Sequence, residues 1–234
     1  MAPLLLVPVG SLEQHGPHLP LATDTMVAAA VAQGAAEQLS VTGAVAVLVA
    51  PAVNYGASGE HEDFPGTISI GHEALHLLLV EYARSACRWA AGVVFVNGHG
   101  GNVVAVRGAV EQLRGEGRAV AWYACAPPHG DAHAGRSETS LLRHLAPETV
   151  DCDRFEAGVV TPVADLMPRL RRDGVRAVTA NGVLGDPHGS SPEEGERLVT
   201  RLVAGLIATV RELVAEADAP DAAAPVEADA PGRR

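Results

Sequence analysis

Three short segments hold most of the side chains able to do chemistry. The first is Ser11-Leu12-Glu13-Gln14-His15-Gly16-Pro17-His18, with Asp24 further on. It follows the apolar run Leu4–Val9, which reads as a buried strand. Glu13 and His15 alternate with Gln14, so in an extended segment they leave on one face. Carboxylate oxygen plus imidazole nitrogen is a ligand set for Zn, Mn or Fe. The alternative is a solvated loop whose Asp24 only caps the next helix.

The second segment is Asn97-Gly98-His99-Gly100-Gly101-Asn102, directly after the apolar run Val93–Val96. If the two runs are neighbouring parallel strands, His99 stands level with Glu13 and His15. A phosphate-cradling glycine loop is the rival reading. Against it, the segment lacks the G-x-G-x-x-G spacing and the chain contains no lysine. The third segment runs from Asp131 to Ser140 and offers His133 and Glu138 at a loop-to-helix junction. Helix capping by Ser137 and Ser140, with Glu138 favouring the helix dipole, is the alternative there.

These segments need elements to hold them. Apolar runs predict further strands at Ala46–Ala50 and Ala119–Cys125. Helical stretches are predicted at Asp24–Leu39 (capped by Asp24), His72–Ala90, Val103–Gly115, Glu138–Leu145 and Pro192–Glu216. In the second of these, Leu75, Leu78, Leu79 and Tyr82 form an apolar stripe. Residues 151–190 read as irregular, with a short strand near Gly182–Leu184. Strand-then-helix alternation argues a parallel sheet covered on both faces. Residues 52–71 form a long glycine-containing loop, and such loops are usually functional. Within it, Tyr55, Glu60, His61 and Thr67 are candidate substrate contacts. The alternative is loop structure, with Phe64 tucked into the core.

Composition narrows the options. The chain has 234 residues, enough for one sizeable domain. It is 47% apolar yet only 3% aromatic, so its core must be built mainly from Val, Leu and Ala. A formal charge of −11 argues against nucleic acid and anionic membranes as partners. Without lysine, a Walker-type loop and Schiff-base chemistry are excluded. Cys87, Cys125 and Cys152 are scattered, which argues against a disulfide scaffold and for small buried residues in a reducing compartment. With no secretory signal and no bilayer-length apolar run, a cytoplasmic protein is expected. The Pro/Ala/Asp-rich segment 217–234 is expected to be a disordered tail after one domain spanning 1–216. Ser11 lacks the elbow of a serine hydrolase, and no cysteine lies in a motif.

The runs S-L-E-Q-H-G-P-H-L-P-L-A-T-D, N-G-H-G-G-N and H-A-G-R-S-E-T-S together resemble the creatininase family of metal-dependent amidohydrolases. The resemblance spans about Leu4 to Glu216. Further runs, N-Y-G-A-S-G-E-H at 54–61, G-T-I-S-I-G at 66–71, L-L-V-E-Y at 78–82 and G-V-L-G-D-P at 182–187, are similar to one branch of that family. That branch is implied to cut a modified C-terminal Val-Tyr unit from a ribosomal precursor peptide.

The family implies a three-layer α/β/α sandwich with a mostly parallel sheet, two divalent metal ions per chain (Zn, Fe(II) or Mn) and a ring-like homo-oligomer such as a hexamer. It implies that Glu13 and His99 bind one ion, that His15 binds the other, and that Asp24 bridges both. Creatininase has a carboxylate two residues after the histidine matching His99, where this chain has Gly101. Glu138 is therefore the candidate for the remaining ligand, with a catalytic role beside it. His133 matches the family's catalytic histidine. Arg136 stands where relatives often have Glu. Neither Trp89 nor Trp122 matches the tryptophans that lid creatininase's small ring; both are expected in core packing. Two other readings stay open: hydrolysis of a small cyclic amide, and a non-catalytic ligand-binding protein.

Overall fold

A computed structural model describes residues 2–43, 45–127 and 130–218. Four strands, β1 (Leu4–Val9), β2 (Val47–Val49), β3 (Gly92–Asn97) and β4 (Val120–Ala124), form one sheet in the order β2-β1-β3-β4, parallel at every pairing. The helices are α1 (Thr23–Thr42), α2 (Gly71–Ala86), α3 (Val103–Gly115), α4 (Arg136–Leu145), α5 (Val163–Asp173) and α6 (Pro192–Asp218).

Every residue of β1 and β3 is buried. That is why these strands read as unbroken apolar runs rather than alternating ones. On one face, Leu4, Leu6, Val94 and Val96 pack with Val31 of α1, Leu142 of α4 and Leu206 of α6. On the other, Leu5, Val7, Val93 and Phe95 pack with Leu79 of α2 and Val106 of α3. Helices on both faces make the expected three-layer sandwich, in α/β form. A smaller cluster of Phe64, Leu170, Val175 and Leu184 ties the 59–64 loop to α5.

The topology decides where the site lies. The chain places β2 beside β1, then crosses to the other side of β1 to lay down β3. The crevice at the C-terminal ends of β1 and β3 is thus a topological switch point, the usual place for ligands in such sheets. The register pairs Val9 with Asn97, so both strands end level there.

Several local expectations need correction. Asp24 is not a cap: α1 begins at Thr23 after Ala22, with no side-chain cap bond. Helix α2 stops at Ala86 and gives way to turns, and Leu78 is 39% exposed rather than buried in the stripe. Trp89 is 52% exposed in those turns rather than packed in a core, whereas Trp122 packs partly against the second cluster. Residues 163–173 are helical within the stretch read as irregular. Near 182–184 there is an isolated antiparallel bridge, Leu184 to His133, not a strand. Cys125 is buried as expected, but Cys152 is exposed. No described helix is long and apolar enough to cross a membrane. Ala217 and Asp218 extend α6; the rest of the 217–234 tail lies outside the described residues.

Candidate metal centre

Five parts of the chain converge on the switch point. The segment leaving β1 brings Glu13 and His15, the turn leaving β3 brings His99, and the first turn of α1 brings Asp24. The entry to α4 brings His133 and Glu138. A short 3-10 turn at Gly59–His61 brings Glu60 and His61. Leu12 bridges Ile68, and the Gln14 N–H donates to Thr67 Oγ1 at 3.1 Å, so this loop is laced to the segment leaving β1.

Glu13, His15, Asp24, His99 and His133 are all buried. Asp24 Oδ1 lies 3.2 Å from His15 Nε2, and its Oδ2 lies 3.5 Å from His99 Nδ1. Glu13 Oε2 lies 3.1 Å from His99 Nε2. Glu138 Oε2 lies 3.9 Å from His15 Nε2 and accepts the Ala134 N–H at 2.6 Å. Glu13 Oε1 faces His61 Nε2 at 3.4 Å and His133 Nδ1 at 3.7 Å. Three ligand groups result: Glu13 with Asp24 and His99, His15 with Asp24 and Glu138, and Glu13 with His15 and His133.

Hydrogen bonds to main-chain carbonyls orient three of the rings. His15 Nδ1 is 3.1 Å from Glu13 O, His99 Nε2 is 3.2 Å from Ala57 O, and His133 Nε2 is 2.8 Å from Gln14 O. A carbonyl can only accept, so each of those nitrogens carries the hydrogen. When the ring is neutral, as metal binding requires, the opposite nitrogen offers a lone pair to the centre, the arrangement common behind metal-bound histidines.

Burial and charge compete at every group. Burial lowers the pKa of His15, but the Asp24 charge and hydrogen bond, with Glu138 and Glu13, raise it to about 10. His99 behaves alike: burial lowers its pKa, and Glu13, Asp24 and Glu60 raise it to about 10. Burial, with His15 and His61 nearby, holds His133 well below the usual imidazole range. Burial pushes Glu138 up to about 7 against the pull of His15. Burial also raises Glu13, yet the field of His99, His61 and His133 holds it well below the usual carboxylate range.

Glu13 Oε1 and Asp24 Oδ2 are buried with no hydrogen-bond partner among the described residues. An orphaned buried carboxylate oxygen is costly. Both orphans belong to the groups with metal-ligand geometry, so the donor set fits divalent cations that take oxygen and nitrogen ligands.

Of the sequence candidates, Glu13, His15, Asp24, His99, His133 and Glu138 come together in one cluster. His61, expected among the substrate contacts, joins them: it is buried against Glu13. Glu60 Oε1 reaches 3.6 Å from His99 Nε2. Tyr55 is 45% exposed, and Thr67 spends its hydroxyl on the Gln14 N–H. Gln14 and Ser11 went unremarked as site residues, yet Ser11 Oγ donates to Glu13 Oε2 at 2.9 Å. The alternation that put Glu13 and His15 on one face also set Gln14 apart from them. Asp131, not a serine, accepts the first N–H groups of α4, from Arg136 and Ser137. Ala134 is the one described non-glycine residue with positive φ, at 51°, beside His133.

The family model described as "Creatininase: Creatinine amidohydrolase" matches residues 1–210. The chain belongs to the creatininase family. It is 56% identical over 205 residues to the mycofactocin precursor peptide peptidase of Mycolicibacterium smegmatis, covering 88% of this chain and 83% of that protein. It is 50% identical over 221 residues to the protein of the same name from Mycobacterium tuberculosis strain H37Rv, covering 93% and 88%. The solved structure described as "Creatininase Mn" superposes with a TM-score of 0.73 at 29% identity, covering 90% of this chain and 91% of that one. A Zn-Zn form of a creatininase mutant superposes equally well, at 0.73 and 29%, covering 90% of each chain. Creatininase structures thus carry Mn or Zn, and this member of the family is a hydrolase with clusters of metal-ligating residues.

Proposed function

We propose that this creatininase-family hydrolase cleaves the amide bond that releases the modified C-terminal Val-Tyr unit from the mycofactocin precursor peptide. The observation that carries the reading is 50–56% identity, over most of the chain, to relatives named mycofactocin precursor peptide peptidase. The centre of three carboxylates and three imidazoles, all buried but the partly exposed Glu138, supports hydrolysis as the chemistry.

In this reading Glu13 and His99 would hold one divalent cation and His15 and Glu138 a second, with Asp24, one oxygen toward each imidazole, available to both. Such cations supply Lewis acidity for water activation and carbonyl polarisation. The chain's own part is proton handling and positioning. His133 is buried and neutral, with its Nε2 hydrogen held by Gln14 O. Its Nδ1 lone pair accepts a proton at the centre and passes it to the leaving amine nitrogen. Burial raises Glu138 to about 7 in the metal-free chain; as a ligand of the second cation it would be held as the carboxylate. Tyr55 and the exposed part of the 54–69 loop offer a rim for the peptide.

The test is a side-by-side assay of the modified precursor peptide, creatinine and other small cyclic amides. Cleavage of the peptide alone supports the reading; turnover of small lactams with the peptide untouched overturns it in favour of a small-molecule amidohydrolase. Two ions per chain, a ring-like homo-oligomer and a cytoplasmic location extend the same proposal. Elemental analysis, sedimentation and cell fractionation test them.

A further inference from the structure

Four imidazoles meet at the centre, and three of them offer lone pairs to it, as described above. His61 differs, and the cause is Gln14. The orientation of the Gln14 amide is set by its oxygen: Gln14 Oε1 lies 2.9 Å from the Gly16 N–H, which can only donate. Its nitrogen therefore faces the histidines. Gln14 Nε2 has two hydrogens and three neighbours: Gly182 O at 3.1 Å, His61 Nδ1 at 2.8 Å and His133 Nε2 at 3.0 Å. Gly182 O accepts one hydrogen. His133 Nε2 already donates to Gln14 O and has no lone pair left in the ring plane. The second hydrogen goes to His61 Nδ1 by elimination.

His61 Nδ1 is then an acceptor, so its hydrogen sits on Nε2. That nitrogen faces Glu13 Oε1 at 3.4 Å; among the described residues this oxygen makes no hydrogen bond, and its other neighbour is His133 Nδ1 at 3.7 Å. With the opposite tautomer, two lone pairs would face each other across 3.4 Å. The surroundings are shaped for this amide. Gly182 has φ +81°, and a Cβ on it would collide with the Gln14 amide. Gly16, whose N–H donates to Gln14 Oε1, has φ +66°. Both torsions favour glycine.

We infer that Gln14 is a positioning residue that fixes the Nε2–H tautomer of His61, and that this N–H, turned toward Glu13 Oε1, orients that oxygen in the centre. The inference rests on the reading of the cluster as a metal centre in the proposed hydrolase. It assigns His61 to the centre rather than to substrate contact, and it gives the buried Gln14 amide a role.

The tautomer can be read directly, by long-range proton–nitrogen correlation spectra of the zinc-loaded full chain labelled with nitrogen-15 histidine. The expected spectrum shows His61 protonated at Nε2, with Nδ1 as acceptor. In Gln14→Glu a carboxylate oxygen faces Nδ1, so the ring reverses to Nδ1–H. Zinc affinity, measured by chelator competition, is then expected to fall about 10–100-fold, the usual effect of losing an outer partner of a ligand. In Gln14→Met the amide donor is absent without added charge, and His61 becomes a mixture of tautomers with a smaller fall. His61→Gln, which keeps a donor, is expected to retain more zinc affinity than His61→Leu. An Nδ1–H signal for His61 in the wild type overturns the inference. So does a reversed tautomer in a folded Gln14→Glu chain with zinc affinity unchanged. Failure of the wild type to cut the precursor peptide, with these spectra and affinities as expected, refutes the substrate reading alone.

Discussion

The carboxylate of Glu60 covers Gly101: its Oε1 lies 2.6 Å from the point where a Cβ on residue 101 would stand. That same Cβ would collide with Ala57 O and His99 Nε2. The loop after β2 therefore fills the space that a side chain at position 101 would need. Gly101→Ala must displace His99 or lift the 57–60 loop. Overpacking of this kind costs about 1–3 kcal/mol. A thermal melt is expected to show a destabilised chain, and chelator competition a weaker hold on metal. A variant as stable as the wild type, with unchanged metal affinity, would show that the loop yields freely.

Asp24→Asn keeps the shape of the side chain and removes its charge. Elemental analysis of protein purified without chelators is expected to find about two ions per wild-type chain, as two-metal hydrolases require. The variant is expected to lose both metal and peptide cleavage. Normal metal content and turnover in Asp24→Asn would sink the bridging assignment.

In the metal-free chain the pKa of His15 and that of His99 are each raised to about 10, so both rings carry a proton at pH 8. Metal binding needs neutral rings. Uptake of zinc at pH 8 should release about two protons per chain, one from each ring. Calorimetry in buffers of different ionisation heat measures this directly; no buffer dependence would refute it. The sign for stability follows from linkage. Both values lie above the ordinary 6.5, so the stabilisation is complete below that pH and fades as pH rises through about 10. The melting temperature of the chelated chain should therefore fall across this window.

Leu213 is buried in α6, and Glu216 Oε2 reaches Arg114 Nη2 at 3.0 Å on the exposed surface. A chain ending at Asp218 keeps both contacts. It is expected to match the full chain in melting temperature and in cleavage. Loss of activity on this truncation would give the acidic tail a role.

Much of this architecture was legible in the residues. Leu4–Val9 and Val93–Val96 are unbroken apolar runs, and only a strand buried on both faces needs such a run. Glu13, His15 and His99 follow those runs closely, so their meeting was implied once the strands were parallel neighbours. Helix α5 was less legible because Pro168 and its arginines mask the helical pattern. Asp24 looked like a cap because aspartate before an apolar helix usually is one. Only packing shows its carboxylate turned inward to two imidazoles.

By itself, the sequence determined most of the strand and helix order, the mainly aliphatic core and the pool of carboxylates and imidazoles. These follow from local periodicity and residue chemistry, which need no distant partner. Tertiary structure decided what depends on contacts between remote segments. It brought His61 from the 52–71 loop onto Glu13, laid Glu60 over Gly101, and set Gln14 between Gly182 and two histidines. A hydrogen bond joining residues 47 or 168 positions apart leaves no periodic trace in the chain. It exists only once the sheet and its loops have closed around the switch point.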